Sequence, residues 1–396
     1  MYRPIFSRAT KFRQFAFVFV ALLSIPLKAQ IIPAAMATHE YIPLLKGRSV
    51  GFVGNHTSLI GETHLVDHLI AEGVRVRKVF SPEHGFRGNA AAGEKVENGI
   101  DPRTGLPVVS LYGSHKKPTP EDLEGIDLIL FDIQDVGVRF YTYISTLTLV
   151  MEAAAENRIP VVVLDRPNPL GWYIDGPVLD PVFSSFVGMH PVPVVYGMTI
   201  GEYARMVNGE RWLKDGVQCD LKVIPCKGYT HASRYELPVP PSPNLPNSMA
   251  ITLYPSLCFF EGTPVSIGRG TEMPFQVIGA PWLPVNDFSF TPKPTDAAPH
   301  PKLEGVECRA VDLRNFAKYF LADYHQLYLY WLVDAYAASP DKSGFFTSFF
   351  DKLAGTDELR KMIQAGYSVE DIRSTWEDDI RTFKEMRAKY LIYPEN

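Results

Sequence analysis

The sequence contains neither of the glycine motifs that bind nucleotides. Gly51-Phe-Val-Gly54 does not have the Gly-x-Gly-x-x-Gly spacing and no Walker A sequence occurs, which argues against a nucleotide cofactor. A Gly-x-Ser-x-Gly elbow is also missing, which weakens a serine-esterase interpretation. His64 and His68 stand four residues apart, but the residues between them lack the glutamate of the zincin motif. We therefore expect no cofactor and no metal.

Long apolar runs are scarce as well, and the clearest one lies near the N-terminus. Four basic residues between positions 3 and 13 precede an apolar run at residues 15–23, and Ala29 offers a small residue for cleavage. The run is shorter than the roughly 20 apolar residues that a spanning helix needs. Residues 1–29 are therefore predicted to be a secretory signal peptide. We expect an exported protein, periplasmic or secreted, with no membrane span once the signal is removed.

The chain has little positive charge to offer a polyanion. Removing residues 1–29, which carry five basic and no acidic residues, takes the formal charge from −5 to −10. An acidic chain without a basic stretch has no electrostatic footprint for nucleic acid, so its partners should be neutral or small. The sequence does not indicate an oligomeric state.

Only four cysteines occur. Cys219 and Cys226 bracket a predicted strand, whose seven extended residues span roughly 23 Å, far beyond the roughly 7 Å Cα limit for a disulfide. These two are predicted to be isolated thiols, and a bond between Cys258 and Cys308 is left open.

Short β-branched runs alternate with helical patterns from residue 48 to about residue 226, which is typical of a parallel sheet covered on both faces. The predicted fold is α/β: a Rossmann-like, doubly wound, mostly parallel sheet at residues 40–237. After the proline-dense residues 238–246, residues 238–396 are predicted to form a smaller α+β auxiliary lobe, with a cleft between the two. The predicted strands are residues 50–53, 74–80, 108–111, 128–132, 161–164, 192–196 and 221–224, and the C-terminal part is predicted to contain helices at residues 312–324 and 368–390.

Polar loops follow six consecutive predicted strands. Ligands of open α/β sheets bind outside the carboxyl ends of the strands, so these loops predict an active site. The candidate residues there are Asn55 and His56, then Glu83, His84 and Arg87, then Asp132, Gln134, Asp135, Arg139, Tyr141 and Tyr143, then Asp165, Arg166 and Asn168, and finally Tyr196.

The loop Ser81-Pro-Glu-His-Gly-Phe-Arg-Gly88 is the densest polar stretch. Glu83 is the candidate general acid, with His84 and Arg87 placed to orient it, because glycosidic and related bonds need a proton delivered to the leaving oxygen. The alternative for this loop is a surface ion pair between a glutamate and an arginine. Further along, Glu261, Arg269 and Thr271 lie on a glycine-punctuated loop whose glycines could let a ligand approach the backbone.

Six motifs taken in order resemble the exo-β-N-acetylmuramidase family (NamZ type). They are Gly-Asn-His-Thr57, Ser-Pro-Glu-His-Gly-Phe-Arg-Gly88, the run from Phe131 to Tyr143, Asp-Arg-Pro-Asn-Pro169, Pro-Ser-Pro-Asn-Leu-Pro246, and Glu-Gly-Thr263 with Gly-Arg-Gly-Thr271. The resemblance implies a glycoside hydrolase that removes terminal N-acetylmuramic acid (MurNAc) from the non-reducing ends of peptidoglycan fragments.

The same resemblance implies that Glu83 is the general acid and that an arginine holds the lactyl carboxylate of muramic acid. Arg139, Arg166 and Arg269 are the candidates for that arginine. Asp135, Glu261 or the 2-acetamido group of the substrate is left open as the second catalytic group. The competing hypotheses are a muropeptide-binding protein without catalysis, and an amidase or deacetylase that acts on cell-wall fragments.

Overall fold

The computed structural model describes residues 30–83, 85–87, 98–284 and 287–396. Ile31–Asn396 form one compact unit. The predicted signal peptide and the candidate His84 lie outside the described residues. Within the described ranges, no helix is both long and apolar enough to cross a membrane.

A mostly parallel sheet forms the centre of the N-terminal half, as predicted. Its strands and a separate small hairpin, β2 with β3, have these bounds: β1 Ser49–Gly54, β2 Leu59–Ile60, β3 Thr63–His64, β4 Arg75–Ser81, β5 Gly99–Ile100, β6 Pro107–Ser110, β7 Leu128–Asp132, β8 Val161–Leu164 and β9 Leu221–Ile224. The order in the sheet is β5-β6-β4-β1-β7-β8-β9, and among the described strands of this sheet only β5 pairs antiparallel. The chain builds outward from β1 in one direction and then in the other, so the doubly wound fold is confirmed.

Helices and loops cover both faces of this sheet. Four α-helices belong to the described N-terminal half: α1 Thr38–Leu45, α2 Leu65–Ala71, α3 Tyr143–Glu156 and α4 Ile200–Gly209. Strands β7 and β8 are buried along their whole length, which explains why their sequences are continuously apolar rather than alternating. Helix α4 begins with a capping box in which Thr199 and Glu202 exchange hydrogen bonds with each other's backbone.

The strand predicted at residues 192–196 is wrong. This segment is buried, but it makes only isolated bridges, from Val195 to Val138 and to Asp175. Pro191 and Pro193 remove two of the backbone N–H donors that a ladder would need, so the run cannot enter the sheet as a central strand.

The C-terminal half contains a three-stranded antiparallel sheet and a set of short helices. Strand β12 lies between β10 and β11. The bounds are α5 Ser248–Leu257, β10 Val277–Ala280, β11 Ser289–Phe290, β12 Cys308–Asp312, α6 Arg314–Phe316, α7 Ala322–Tyr324, α8 Tyr330–Ala338, α9 Ser348–Ala354, α10 Glu358–Ala365, α11 Val369–Ser374 and α12 Glu377–Ala388.

Both helices predicted in this half are interrupted. The first contains a π-helical turn at Ala317–Leu321 and ends at His325, whose φ is +56°. The second begins at the predicted cap, where the Ser368 side chain accepts from the backbone of Asp371, but it breaks before α12. Trp376 lies at that break and is buried, with its indole N–H donating to Asp175.

The two halves share a core. Phe140, in the loop before α3, packs edge-on against Tyr254 and Phe259 at centroid distances of 5.3 and 5.9 Å. All four cysteines are buried and free, so the isolated thiols predicted at Cys219 and Cys226 are confirmed, and Cys258 and Cys308 are not bonded to each other.

Candidate active site

A cleft of about 1180 Å³ is lined by residues from both halves of the chain. Its N-terminal wall comes from the loops after β4 and β6, the start of α3 and residues 185–187, and its C-terminal wall from residues 242–275, 297–302 and 349–353. Five of the predicted site residues line it: Glu83, Tyr141, Tyr143, Glu261 and Arg269.

Glu83 lies two residues beyond the end of β4, in a turn closed by a hydrogen bond from the Gly85 N–H to the Pro82 carbonyl. Tyr112 lies beside Glu83, and burial, followed by the charge of this carboxylate, raises the pKa of Tyr112. Burial, and then the charge of Glu83, likewise raises the pKa of Tyr143. Both phenols therefore remain protonated beside the carboxylate and can act as hydrogen-bond donors there.

Asn55 orients one of these phenols from behind. Its Oδ1 accepts hydrogen bonds from the N–H and the hydroxyl of Thr57 at 2.9 and 2.6 Å. That contact assigns the amide, so Nδ2 donates to the Tyr143 hydroxyl at 2.9 Å. Because the phenol oxygen accepts from Asn55, its own proton points elsewhere. Asn55 is thus buried behind the cleft wall rather than lining the cleft.

Arg87 stabilises the Glu83 loop through aspartates. Its guanidinium contacts Asp101 at 2.7 Å and Asp67 at 3.3 Å. Burial opposes ionisation of Asp101, but hydrogen bonds from Arg87 and Thr104 hold its pKa at about 2. The role predicted for Arg87 in orienting Glu83 stays a prediction, and its observed contacts anchor the far end of the loop.

The opposite wall carries an ion pair between two predicted residues. Arg269 Nε donates to Glu261 Oε1 at 2.6 Å, and both side chains are partly exposed, at 27% and 21%. Behind them, the Lys302 ammonium group donates to the carbonyls of Phe260, Thr263 and Val265. This lysine closes the loop that carries Glu261.

The glycines of this loop allow another segment of the protein to pack closely against it. Gly268 and Gly270 both have positive φ, and a Cβ on Gly270 would lie 2.5 Å from the carbonyl oxygen of Lys293. Residues 293–301 therefore pack directly on the loop. The Thr271 hydroxyl stabilises the same turn, because it donates to the Gly268 carbonyl at 2.7 Å. Thr271 does not line the cleft.

The remaining predicted residues make internal contacts outside the cleft lining. Arg166 forms a buried bidentate pair with Asp132, at 2.6 and 2.8 Å. Arg139 is fully buried and donates to four backbone carbonyls, including those of Leu353 and Ala354. Neither guanidinium group lines the cleft, so neither is placed to hold a substrate carboxylate there.

Asp135 is also buried, and its carboxylate accepts from the Tyr196 hydroxyl and from the Gly137 N–H. Burial raises the pKa of Asp135 to about 6 despite these hydrogen bonds. The other predicted residues also make hydrogen bonds within the protein. Gln134 donates to the carbonyls of Asp135 and Pro167, and Asn168 donates to the Met198 carbonyl. Asp165 accepts from Thr199, Gly201 and Tyr393, and His56 contacts the Pro240 carbonyl.

Several cleft residues are missing from the predicted set. Tyr112 and Lys116 carried a signal, because both lie in the loop after a predicted strand, as Glu83 does. Tyr254, His300 and Lys302 carried none, because distant segments bring them to the cleft. Asn244 shows how: its side-chain amide donates to the Ala297 carbonyl and fastens residues 297–302 to the proline-rich segment.

Comparisons with known proteins cover nearly the whole described chain. Two family models match: exo-β-N-acetylmuramidase NamZ, N-terminal, over residues 50–249, and exo-β-N-acetylmuramidase NamZ, C-terminal, over residues 252–393. The peptidoglycan β-N-acetylmuramidase NamZ of Bacillus subtilis (strain 168) is 40% identical over 379 residues, which is 89% of each chain.

Two crystal structures of DUF1343 family proteins from Bacteroides fragilis NCTC 9343 are similar as well. One, BF0379, superposes with a TM-score of 0.87 at 45% identity, covering 93% of this chain and 100% of the other. The second, BF0371, has a TM-score of 0.78 at 30% identity, with 92% and 99% covered.

Proposed function

This chain belongs to the exo-β-N-acetylmuramidase NamZ family, and on that premise we propose that it releases terminal β-linked MurNAc from the non-reducing ends of peptidoglycan fragments. It is then an exo-acting glycosidase of cell-wall turnover and recycling. Its partners are muramic-acid-terminated fragments. The signal-like residues 1–29 support export to the periplasm or the medium.

The observation that carries this proposal is the position of Glu83 in the cleft, beside the phenol of Tyr112. In its protonated form, Glu83 donates a proton to the glycosidic oxygen as the bond from that oxygen to C1 of MurNAc breaks. The leaving sugar departs with a neutral hydroxyl group. Water then supplies the hydroxyl on C1, and its second proton restores the acid form of Glu83.

The placement of the carboxylates supports one of the three alternatives for the second catalytic group. Asp135 does not line the cleft, and Glu261 lines it but is paired with Arg269 at 2.6 Å. We therefore assign the second role to the acetamido oxygen of the substrate. It attacks C1 to form an oxazolinium ring, which water opens in the next step.

Incubation of the purified full chain with a MurNAc-terminated disaccharide tests the function, with free MurNAc as the readout. Replacing the general acid in Glu83→Gln should lower turnover by about 10²- to 10⁴-fold. Glu124→Gln is the matched control, because Glu124 is exposed and lies outside the cleft lining.

Three outcomes would overturn the proposal. Binding of the disaccharide without any released sugar would favour a muropeptide-binding protein. Release of acetate or of a stem peptide in place of sugar would favour a deacetylase or an amidase. Full activity of a folded Glu83→Gln variant would remove Glu83 as the acid.

A further inference from the structure

The cleft is positively charged in a chain that is negatively charged overall. Lys116, Arg269, Lys302 and Lys352 line it against two carboxylates, Glu83 and Glu261, while the formal charge of the whole sequence is −5. Basic side chains concentrated in a concave, partly apolar site raise the local concentration of anions. The cleft is therefore built for a ligand that carries negative charge.

Three of the four cations are not arranged to clamp a carboxylate. The Lys302 ammonium group already donates to three carbonyls, which uses all the donors it has. Lys116 lies over the ring of Phe186, 4.5 Å from its centroid. Lys352 is exposed at the rim and, as a lysine, offers a flexible point charge rather than a planar pair of donors.

Arg269 differs from these lysines in geometry. Glu261 takes its Nε–H at 2.6 Å, and the guanidinium group lies 5.1 Å from the centroid of the Phe275 ring. Both contacts hold the plane of the group. In the described part of the chain, its two terminal nitrogens donate to no other residue, so four N–H donors remain. Such an edge matches the two oxygens of a carboxylate.

Glu261 does not cancel the positive charge of this wall. Its carboxylate is paired with Arg269, and its charge raises the pKa values of both Arg269 and Lys302, against burial as the larger influence. Two cations share one anion, so the wall keeps a net positive charge for a ligand.

We propose that Arg269 determines the specificity of the cleft, because its guanidinium group receives the carboxylate of the lactyl ether on C3 of muramic acid. Glu261 is a positioning residue that holds the Arg269 side chain. The inference rests on the proposed function, because the ligand is the sugar that the enzyme releases. N-acetylglucosamine is the same sugar without the lactyl group, so comparing the two sugars isolates the contribution of the carboxylate.

Calorimetric titration of the full chain with each sugar separately tests this. In Arg269→Met, the Kd for MurNAc should rise by about 10- to 100-fold, which is the range for losing a charge-assisted hydrogen-bonded pair. The Kd for N-acetylglucosamine should stay unchanged. Arg314→Met is the matched control, since Arg314 is also held by one carboxylate, Asp312, but lies outside the cleft. It should bind both sugars as the wild type does.

Equal weakening for both sugars, or no weakening for MurNAc, would overturn the assignment of Arg269. If Arg269→Met does not fold, Arg269→Lys keeps the charge without the planar edge and should still lose part of the preference for MurNAc. For Glu261, the readout is the split between KM and kcat. Glu261→Gln should raise KM with little change in kcat, whereas a large loss of kcat would make Glu261 catalytic instead.

Failure of the proposed function gives a different result. A chain that binds MurNAc through Arg269 but releases no sugar would retain the sugar preference in these titrations while showing no turnover of the disaccharide.

Discussion

Tyr112 lies beside Glu83, and the register of the sheet explains why. Ser81 in β4 pairs with Ser110 in β6. Glu83 and Tyr112 each lie two residues beyond these partners, so they leave neighbouring parallel strands side by side. The pairing of the two strands therefore places a phenol next to the proposed acid.

Tyr112→Phe should lower kcat more than it raises KM. The Tyr112 phenol lies beside Glu83 and remains protonated, so it can hold the carboxyl group in one orientation for proton transfer. Losing this contact should lower kcat by about 10-fold, as expected for one hydrogen bond to a charged group. Rates on a chromogenic muramide at several substrate concentrations measure kcat and KM separately.

Tyr367→Phe is the control for this comparison, because Tyr367 is half exposed and does not line the cleft. A merely structural role for Tyr112 would lower the free energy of unfolding and leave kcat of the folded variant unchanged.

Gly270→Ala should disturb the cleft as well as the fold. The φ of Gly270 is +77°, and a Cβ there would lie 2.5 Å from the Lys293 carbonyl oxygen, in the segment that leads into the wall at residues 297–302. An alanine in this left-handed conformation lowers the free energy of unfolding by about 1 kcal/mol. Moving the Lys293 carbonyl away from the new Cβ lowers it by about 1–3 kcal/mol more. We expect a lower free energy of unfolding in urea together with a raised KM.

The matched control is Gly305→Ala. Gly305 has a φ of +71°, but a Cβ there would meet no atom within 4 Å. Gly305→Ala should lower the free energy of unfolding by the backbone strain alone, and its KM should be unchanged. Equal losses in both variants would mean that the contact with Lys293 is unimportant.

Much of the sheet could be predicted because a buried parallel strand has a local signature, a short apolar run between turns. The same signature was misleading at residues 192–196, where Pro191 and Pro193 deny the ladder its donors. Tertiary burial of an apolar run is thus readable from sequence, whereas membership of the sheet depends on backbone hydrogen bonds as well.

Residues of the candidate site could be predicted only where a local feature of the sequence, such as the end of a strand, marks them. Glu83 and Tyr143 follow strand ends of the sheet and line the cleft. Arg139 resembled them in sequence, but it donates to the carbonyl of Leu353, which lies 214 residues away. No local pattern records such a partner, so a buried structural arginine and a ligand-binding arginine look alike until the fold is known.

Asp165 should make the protein less stable as the pH rises. Burial, opposed by hydrogen bonds from Tyr393 and others, raises its pKa to about 7 from the ordinary value of 3.8. Between these values the unfolded chain has released a proton that the folded protein still holds. The free energy of unfolding therefore falls with pH, by up to about 1.4 kcal/mol per pH unit for one proton.

Asp165→Asn mimics the protonated acid and should flatten this slope between pH 4 and 7, in the window set by the two pKa values. Urea unfolding at several pH values measures it. Asp220→Asn, at an exposed position, should leave the slope as it is in the wild type. An unchanged slope in Asp165→Asn would show that Asp165 is not the group that titrates.

The sugar that the enzyme releases should be the β-anomer. An inverting mechanism needs a carboxylate free to activate water, but Asp135 lies outside the cleft lining and Glu261 is paired with Arg269. Attack by the acetamido oxygen, followed by attack of water, inverts C1 twice and so retains its configuration. NMR of the product within the first minutes, before the anomers interconvert, identifies it, and an initial α-anomer would contradict the proposal. Retention alone would also fit a carboxylate nucleophile, so substrates with successively fluorinated acetyl groups supply the second measurement. Each fluorine withdraws electron density from the attacking oxygen, and kcat should fall stepwise only if that oxygen forms the new bond to C1.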